Sequence, residues 1–248
     1  MINLTDYHVH TTYSDGKNTP EETVKAAIEK GLTELGFSDH SYTYFDDSYC
    51  IKKDRMAEYK SEIERLKEKY SDKIKILCGI EQDYYSTEST DGYDYVIGSV
   101  HYVKSCGCFF PVDESAETFE TIIKDVFFGD VYAFIKEYFN TVAKFAERED
   151  VKIIGHFDLV SKFNEKHKFF DENDSRYIAA WQSAADKLLS ANKVFEINTG
   201  AISRGYKTTP YPSKAIRDYI KAKGGKFILS SDSHSKDTLC FGFEKYGI

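Results

Sequence analysis

The chain has 248 residues, 41% of them hydrophobic and 15% aromatic, which is enough to bury one large core, and α/β barrels of this size are commonly one domain. A formal net charge of -8 leaves no basic footprint for a phosphate backbone and disfavours nucleic acid as a partner. Because no apolar run approaches membrane-spanning length, the first residues lack the pattern of a secretion signal, and the five cysteines form no disulfide framework, a soluble cytoplasmic protein without a membrane partner is expected.

The first informative stretch is Asp6-Tyr7-His8-Val9-His10, which reads as a short strand. On a strand, residues i and i+2 project to one face, so His8 and His10 can bind the same ion. Asp15 follows in a Thr/Ser/Asp/Gly loop, where a hard carboxylate suits a second divalent ion. A His-x-His pair by itself fits a polar strand edge equally well, so the case depends on the rest of the chain. Thr19-Pro20-Glu21-Glu22 predicts a helix start with a capping box, Val24, Ala27 and Ile28 supply its apolar stripe, and Gly31 ends it. Leu35 to Ser38 reads as the second strand and runs into Asp39-His40. Met56, Tyr59, Ile63, Leu66 and Tyr70 recur at helical spacing, and Ile74 to Ile80 forms strand three, delivering Glu81.

Asp94 to Val100 is short, apolar and β-branched, which predicts strand four with His101 at its end. Cys106-Gly107-Cys108 reads as a hairpin tip, since no second cysteine pair completes a soft-metal site. Two helices are expected over 114–128 and 132–149, the second with Ile135, Phe139, Val142 and Ala146 on one face, and this doubled connection is expected to lid the site. Strand five, Val151 to Gly155, delivers His156. Ile178, Trp181, Ala185 and Leu188 mark another helix. Strand six, Val194 to Asn198, enters a loop that carries Arg204. Ile216, Tyr219 and Ile220 precede Gly224-Gly225, and Phe227 to Ser231 forms strand seven, delivering Asp232-Ser233-His234.

Seven short strands alternating with helical segments predict parallel β/α winding, either a closed barrel or an open sheet. His8, His10, His40, Glu81, His101, His156, Asp232 and His234 all fall at or just past a strand's C-terminal end, which favours the barrel, where sites are assembled from several strands at that rim. His167 alone among the seven histidines sits in a charged stretch and reads as a surface residue.

The ordered pieces His8-Val9-His10 with Asp15-Gly16, Ser38-Asp39-His40, Gly79-Ile80-Glu81 with Asp83-Tyr84, Gly98-Ser99-Val100-His101, Gly155-His156-Phe157-Asp158-Leu159, Glu196-Ile197-Asn198-Thr199 and Ser231-Asp232-Ser233-His234 span nearly the whole chain. Together they resemble the polymerase and histidinol phosphatase (PHP) family, most closely its histidinol-phosphatase branch. The resemblance implies a distorted (β/α)7 barrel, TIM-barrel-like, occupying residues 1–248 as one metal-dependent phosphoesterase domain, with two or three divalent ions at its C-terminal rim. It assigns His8, His10, Glu81 and Asp232 to one ion, Glu81, His101 and His156 to a second, and Asp15, His40 and His234 to a third. The implied activity is hydrolysis of L-histidinol phosphate in histidine biosynthesis, with Glu81, Asp232 and Arg204 in the catalytic machinery.

Imidazole and carboxylate donors without thiolate suit Zn, Mn or Fe, and two neighbouring ions can lower the pKa of a bridging water and present hydroxide to phosphorus. Arg204 offers phosphate a planar cation near the same rim. The resemblance also places a basic residue shortly after His156-Phe157-Asp158-Leu159, where Lys162 stands here, keeping the charge without the bidentate fork. Gln82 and Tyr102 are further candidate substrate contacts, and Asp83, Tyr84 and Asp158 are candidates for the amine and imidazole end. Two other readings are a PHP phosphoesterase for another small phosphate or a nucleotide, and a catalytically silent metal-binding module. The first keeps a small phosphorylated partner; the oligomeric state is open.

Overall fold

The computed structural model describes residues 4–247. In chain order its first elements are β1 (Thr5–Asp6), α1 (Pro20–Glu29), β2 (Glu34–Phe37), α2 (Met56–Lys69), β3 (Lys75–Asp83), β4 (Tyr95–Ser99), β5 (Tyr102–Ser105) and β6 (Cys108–Pro111). They are followed by α3 (Ala116–Asp125), α4 (Val131–Ala143), β7 (Ile153–Ile154), the one-turn α5 (Asn164–His167), α6 (Ser175–Ser190), β8 (Val194–Asn198), the one-turn α7 (Gly200–Ser203), α8 (Lys214–Ala222), β9 (Lys226–Ser230) and the one-turn α9 (Phe243–Tyr246). β1, β2, β3, β4, β7, β8 and β9 lie side by side in that order, every pair parallel, and a bridge between Val9 and Ser233 draws the two edges together. The result is a nearly closed, distorted (β/α)7 barrel of the TIM type with helices outside, the form that the resemblance implies and that the polar strand ends favour over an open sheet. β5 and β6 form a separate antiparallel hairpin. Among the described residues no helix is long and apolar enough to cross a membrane.

Local chemistry explains the boundaries. Thr19 Oγ1 accepts the Glu22 N–H at 3.3 Å while Glu22 returns a carboxylate oxygen to the Thr19 N–H at 2.9 Å, completing the capping box at the start of α1. The hairpin turns at Cys106 and Gly107, both with positive φ (49° and 84°), the conformation that matches the twist of a two-residue hairpin. Strand one ends earlier than its sequence pattern implies: the β1 ladder stops at Asp6, and His8, Val9 and His10 lie beyond it. Their backbone stays extended because Ser38 N–H donates to Val9 O at 2.9 Å and the Ser233 backbone bonds His8 O and His10 N at 3.1 and 2.8 Å. The alternation that puts His8 and His10 on one face therefore survives.

The expected lid is corrected. α4 buries Phe134, Ile135, Tyr138 and Phe139 and packs against α6 as an outer helix of the barrel, and it ends at Ala143 in a short 3-10 turn instead of running to residue 149. α3 covers only 116–125. Neither helix reaches the mouth of the barrel; the segment Pro111 to Glu114 ahead of them does.

The ring of Tyr95, the first residue of β4, lies over Gly36 and Gly79, with its hydroxyl 2.6 Å from Tyr7 O and 2.9 Å from Phe37 O. A Cβ at either glycine would overlap that ring. Gly79→Ala is expected to cost about 1–3 kcal/mol, the usual range for overpacking, read as a lower urea midpoint.

Candidate metal centre

The C-terminal strand ends converge on Glu81, which is fully buried. Its Oε1 lies 2.9 Å from His156 Nε2 and 3.5 Å from His101 Nε2. Its Oε2 lies 2.8 Å from His40 Nδ1, 3.3 Å from His8 Nε2 and 3.6 Å from His10 Nε2. Asp232 Oδ1 faces His10 Nε2 at 3.3 Å, His234 Nδ1 at 3.5 Å and His8 Nε2 at 3.8 Å. Asp15, on its loop, faces His234 Nε2 at 3.3 Å and His40 Nε2 at 3.7 Å. All nine residues that the sequence pattern selects are thus brought to one rim. His167 is not: it is exposed and stacks on Phe169.

The charges follow from this crowding. Burial opposes ionisation of Glu81, yet His8, His40 and His101 outweigh it and hold the carboxyl well below its ordinary range. Asp232 is likewise held well down against its burial by Arg204 and His8. Burial disfavours protonated His8, but Glu196, Glu81 and Asp232 push its pKa well up, and Glu81 with Asp83 raises His101 to about 9 against the same penalty. His10 goes the other way, down to about 3, because it is buried and flanked by His234 and His40, whose ring centroids lie 4.1 and 4.3 Å from its own. A neutral ring keeps one N–H and leaves one nitrogen with a free lone pair. Without an ion, the carboxylates of the cup are balanced only by protons on the rings around them, a role that a divalent ion would take over from the same side chains.

Buried polar groups ordinarily find partners. Here His8 Nε2, both nitrogens of His10 and Glu81 Oε2 are buried without a hydrogen bond; His8 Nε2 and His10 Nε2 face Glu81 Oε2 at 3.3 and 3.6 Å, and His10 Nδ1 faces Asp15 Oδ1 at 3.9 Å. Three sets have ligand atoms within 4.8 Å of one another: His10, Asp15, His40 and His234; His8, His10 and Asp232; and His40, Glu81 and His101. These imidazole and carboxylate atoms fit divalent metal ions. The sets overlap more than the three expected from the family resemblance, since His10 and His40 each belong to two, while His156 joins through Glu81.

Supporting residues hold the donors. Asp39 accepts the Thr11 and Ser14 N–H groups at 2.7 and 3.2 Å, which fixes the loop carrying Asp15. Asp83 Oδ2 accepts the His101 N–H at 3.1 Å and lies 3.4 Å from His101 Nδ1, so this candidate for the substrate end orients a histidine instead. Asp232 itself adopts φ 50°, uncommon for a residue with a Cβ, and its carbonyl accepts Arg204 Nη1 at 2.8 Å.

Above the donors opens a cavity of about 430 Å³, lined by Arg204 and Lys162 as well as by Asp46, Tyr49, Tyr102, Asp113, Glu114 and Tyr206. Arg204 Nη2 rests on Asp232 Oδ2 at 2.9 Å, and Lys162 Nζ on Asp113 Oδ2 at 3.0 Å. Tyr102 borders the cavity and donates to Asp46 Oδ2 at 2.6 Å. Three expectations need correction. The Gln82 amide turns toward the carbonyls of Ser86 and Glu88, at 3.5 and 3.4 Å, and does not line the cavity, because successive strand residues face opposite ways and Glu81 takes the inner side. Tyr84 packs edge-on against Phe145 outside it. Asp158 is buried beneath, accepting the Ser213 N–H at 3.0 Å. The sequence reading gave no role to Asp46, Tyr49, Asp113, Glu114 or Tyr206, which lie on irregular segments without periodic signal.

Comparison with known proteins agrees with this geometry. The PHP domain model matches residues 6–200. A histidinol-phosphatase of Lactococcus lactis is 30% identical over 243 residues, covering 92% of this chain and 83% of that protein. A Listeria monocytogenes structure, a candidate histidinol phosphatase, superposes with TM-score 0.82 at 20% identity over 98% of this chain and 99% of its own. The structure of a Lactococcus lactis histidinol phosphate phosphatase, complexed with Zn, L-histidinol and phosphate, superposes with TM-score 0.71 at 24% identity, over 94% of this chain and 87% of its own. The matched interval takes in Glu81, His101, His156 and the paired histidines of the first strand end, and the chain belongs to the PHP domain family.

Proposed function

We propose that this chain is a metal-dependent phosphomonoesterase that hydrolyses L-histidinol phosphate to L-histidinol and phosphate, a step of histidine biosynthesis, and that residues 1–248 act as one catalytic unit. The observation that carries the reading is the set of unpartnered donor atoms beside a cavity whose walls also hold two cations, carboxylates and tyrosines. His8, His10, Glu81 and Asp232, then Glu81, His101 and His156, then Asp15, His40 and His234 would hold two or three ions, Zn, Mn or Fe. When bound, such ions supply Lewis acidity to the phosphoryl group and to the attacking water.

The protein's own groups do the rest. Arg204 presents a planar guanidinium to the phosphoryl oxygens, and Lys162 adds a point charge from the same cavity's wall. Asp232 and Asp113 keep both cations in place before substrate arrives. Leu159 and Pro111 supply apolar wall, while Asp46, Asp113 and Glu114 with Tyr49, Tyr102 and Tyr206 suit an alcohol that bears an amine and an imidazole. The same acidic wall disfavours a polynucleotide.

Phosphate release should be measured for L-histidinol phosphate, other small phosphomonoesters, p-nitrophenyl phosphate and single-stranded DNA, with metal content determined on the same preparation. A kcat/KM for L-histidinol phosphate no better than for p-nitrophenyl phosphate defeats the specific assignment. No turnover of any substrate by fully loaded protein favours the silent module. Arg204→Ala is expected to lower kcat/KM by about 10²–10³-fold, the range seen when one donor to a developing anion is removed, and Arg204→Lys to recover little, since an ammonium lacks the fork. Unchanged kcat/KM in Arg204→Ala takes it out of the site.

A further inference from the structure

Glu196 stands in the middle of β8, fully buried, and its carboxylate serves three elements at once. Oε1 lies 2.7 Å from His8 Nδ1. Oε2 accepts the backbone N–H of His156 at 3.1 Å and the Asn198 side-chain amide at 3.0 Å. Asn198 Oδ1 in turn accepts the Gly200 N–H at 2.9 Å, at the head of the turn that leads to Arg204. An ionised carboxylate can only accept, so the contact at Oε1 requires the proton to sit on His8 Nδ1. His8 Nε2, one of the buried atoms without a hydrogen bond, faces Glu81 and Asp232 and is the nitrogen left to ligate an ion.

We infer that Glu196 is a positioning residue for the metal centre: it fixes the tautomer and ring direction of His8 while holding the His156 backbone and the base of the Arg204 turn in register with it. This rests on the reading of the site as a metal-dependent phosphatase. Outer carboxylates of this kind orient a ligating imidazole and raise its basicity.

In Glu196→Gln one end of the side chain becomes an NH2. At the Oε2 end it would face the His156 N–H, a donor that cannot rotate away, so the carboxamide oxygen must take that end. The NH2 then donates to His8 Nδ1, drives the proton to Nε2 and removes the lone pair from the cup. Glu196→Asp has the wrong length but remains acceptor-only, and it should preserve the tautomer.

The test strips metal from wild type, Glu196→Gln and Glu196→Asp and titrates Zn²⁺ back against a chromogenic chelator. Far-UV circular dichroism checks the fold, and long-range ¹H–¹⁵N spectra of the histidine rings in the zinc-loaded proteins report the tautomer. Glu196→Gln should bind one ion about 10–100-fold more weakly, the usual cost of losing such a partner, with Glu196→Asp closer to wild type and His8 of the wild type protonated on Nδ1. A purely structural role reverses the order, since Gln keeps the shape and Asp does not. Wild-type affinity in Glu196→Gln, a poorer Glu196→Asp, or an Nε2-protonated His8 in the wild type overturns the inference. The wild-type spectrum decides even if a variant fails to fold. Failure of the substrate assignment looks different: the ion affinities keep their order while wild type shows no preference for L-histidinol phosphate.

Discussion

Glu81→Gln should lose both ions that the carboxylate would join, and with them nearly all turnover, a larger effect than the about 10–100-fold typical of residues that only support a ligand. Five imidazoles lie within 3.6 Å of its two oxygens. Replacing the carboxylate by a carboxamide removes the negative charge those rings share and aims an NH2 at nitrogens that must offer lone pairs. Shape is unchanged, so the barrel should still form. Metal content by elemental analysis and phosphate release on the same sample make the check: stoichiometric metal with wild-type turnover in Glu81→Gln would remove Glu81 from the centre of the site.

Much of this centre was legible in the sequence because a parallel barrel makes it so. Each short apolar run ends at the same rim, so a histidine or acid just past the run has a known address even when the run's limits are wrong. That is why His8 and His10 were placed correctly although β1 stops at Asp6, and why His156 was placed although β7 covers only Ile153–Ile154. The partition among ions was less legible, because it depends on ring rotations that bring His10 and His40 into two sets each. The substrate wall was hardly legible. Asp46, Asp113 and Tyr206 come from irregular segments whose approach to the mouth is set by tertiary packing, and the two helices expected to lid it spend their apolar faces on the outside of the barrel. Glu196 did leave a signal, a lone acid inside Val194-Phe195-Glu196-Ile197-Asn198, where burial without a partner would be too costly.

Asp6→Ala should be the most destabilising single change at the barrel seam. Asp6 lies on the two-residue β1, where backbone pairing is least, and it is completely buried. Its Oδ1 accepts the Ser231 N–H at 3.1 Å and lies 3.5 Å from His8 N, while Oδ2 accepts the Ser231 hydroxyl at 2.5 Å and the Cys240 N–H at 3.0 Å. One carboxylate thereby ties the first strand to the end of the last and to the segment beyond it. Alanine leaves three buried donors without acceptors, at about 1–3 kcal/mol each, offset in part because a buried anion no longer has to be desolvated, so a net loss of about 3 kcal/mol or more is expected. Asparagine should rescue little, since its NH2 must face N–H donors at one end or the other. The pH dependence has a definite sign. Burial raises the Asp6 pKa above its ordinary value against the pull of Ser231 and Cys240, so its contribution is complete below the unfolded-state pKa and declines as pH rises through the folded one. The difference in urea midpoint between wild type and Asp6→Ala should accordingly narrow as the pH is raised from acid toward neutral. A variant as stable as wild type would show that the Val9–Ser233 bridge closes the barrel without Asp6.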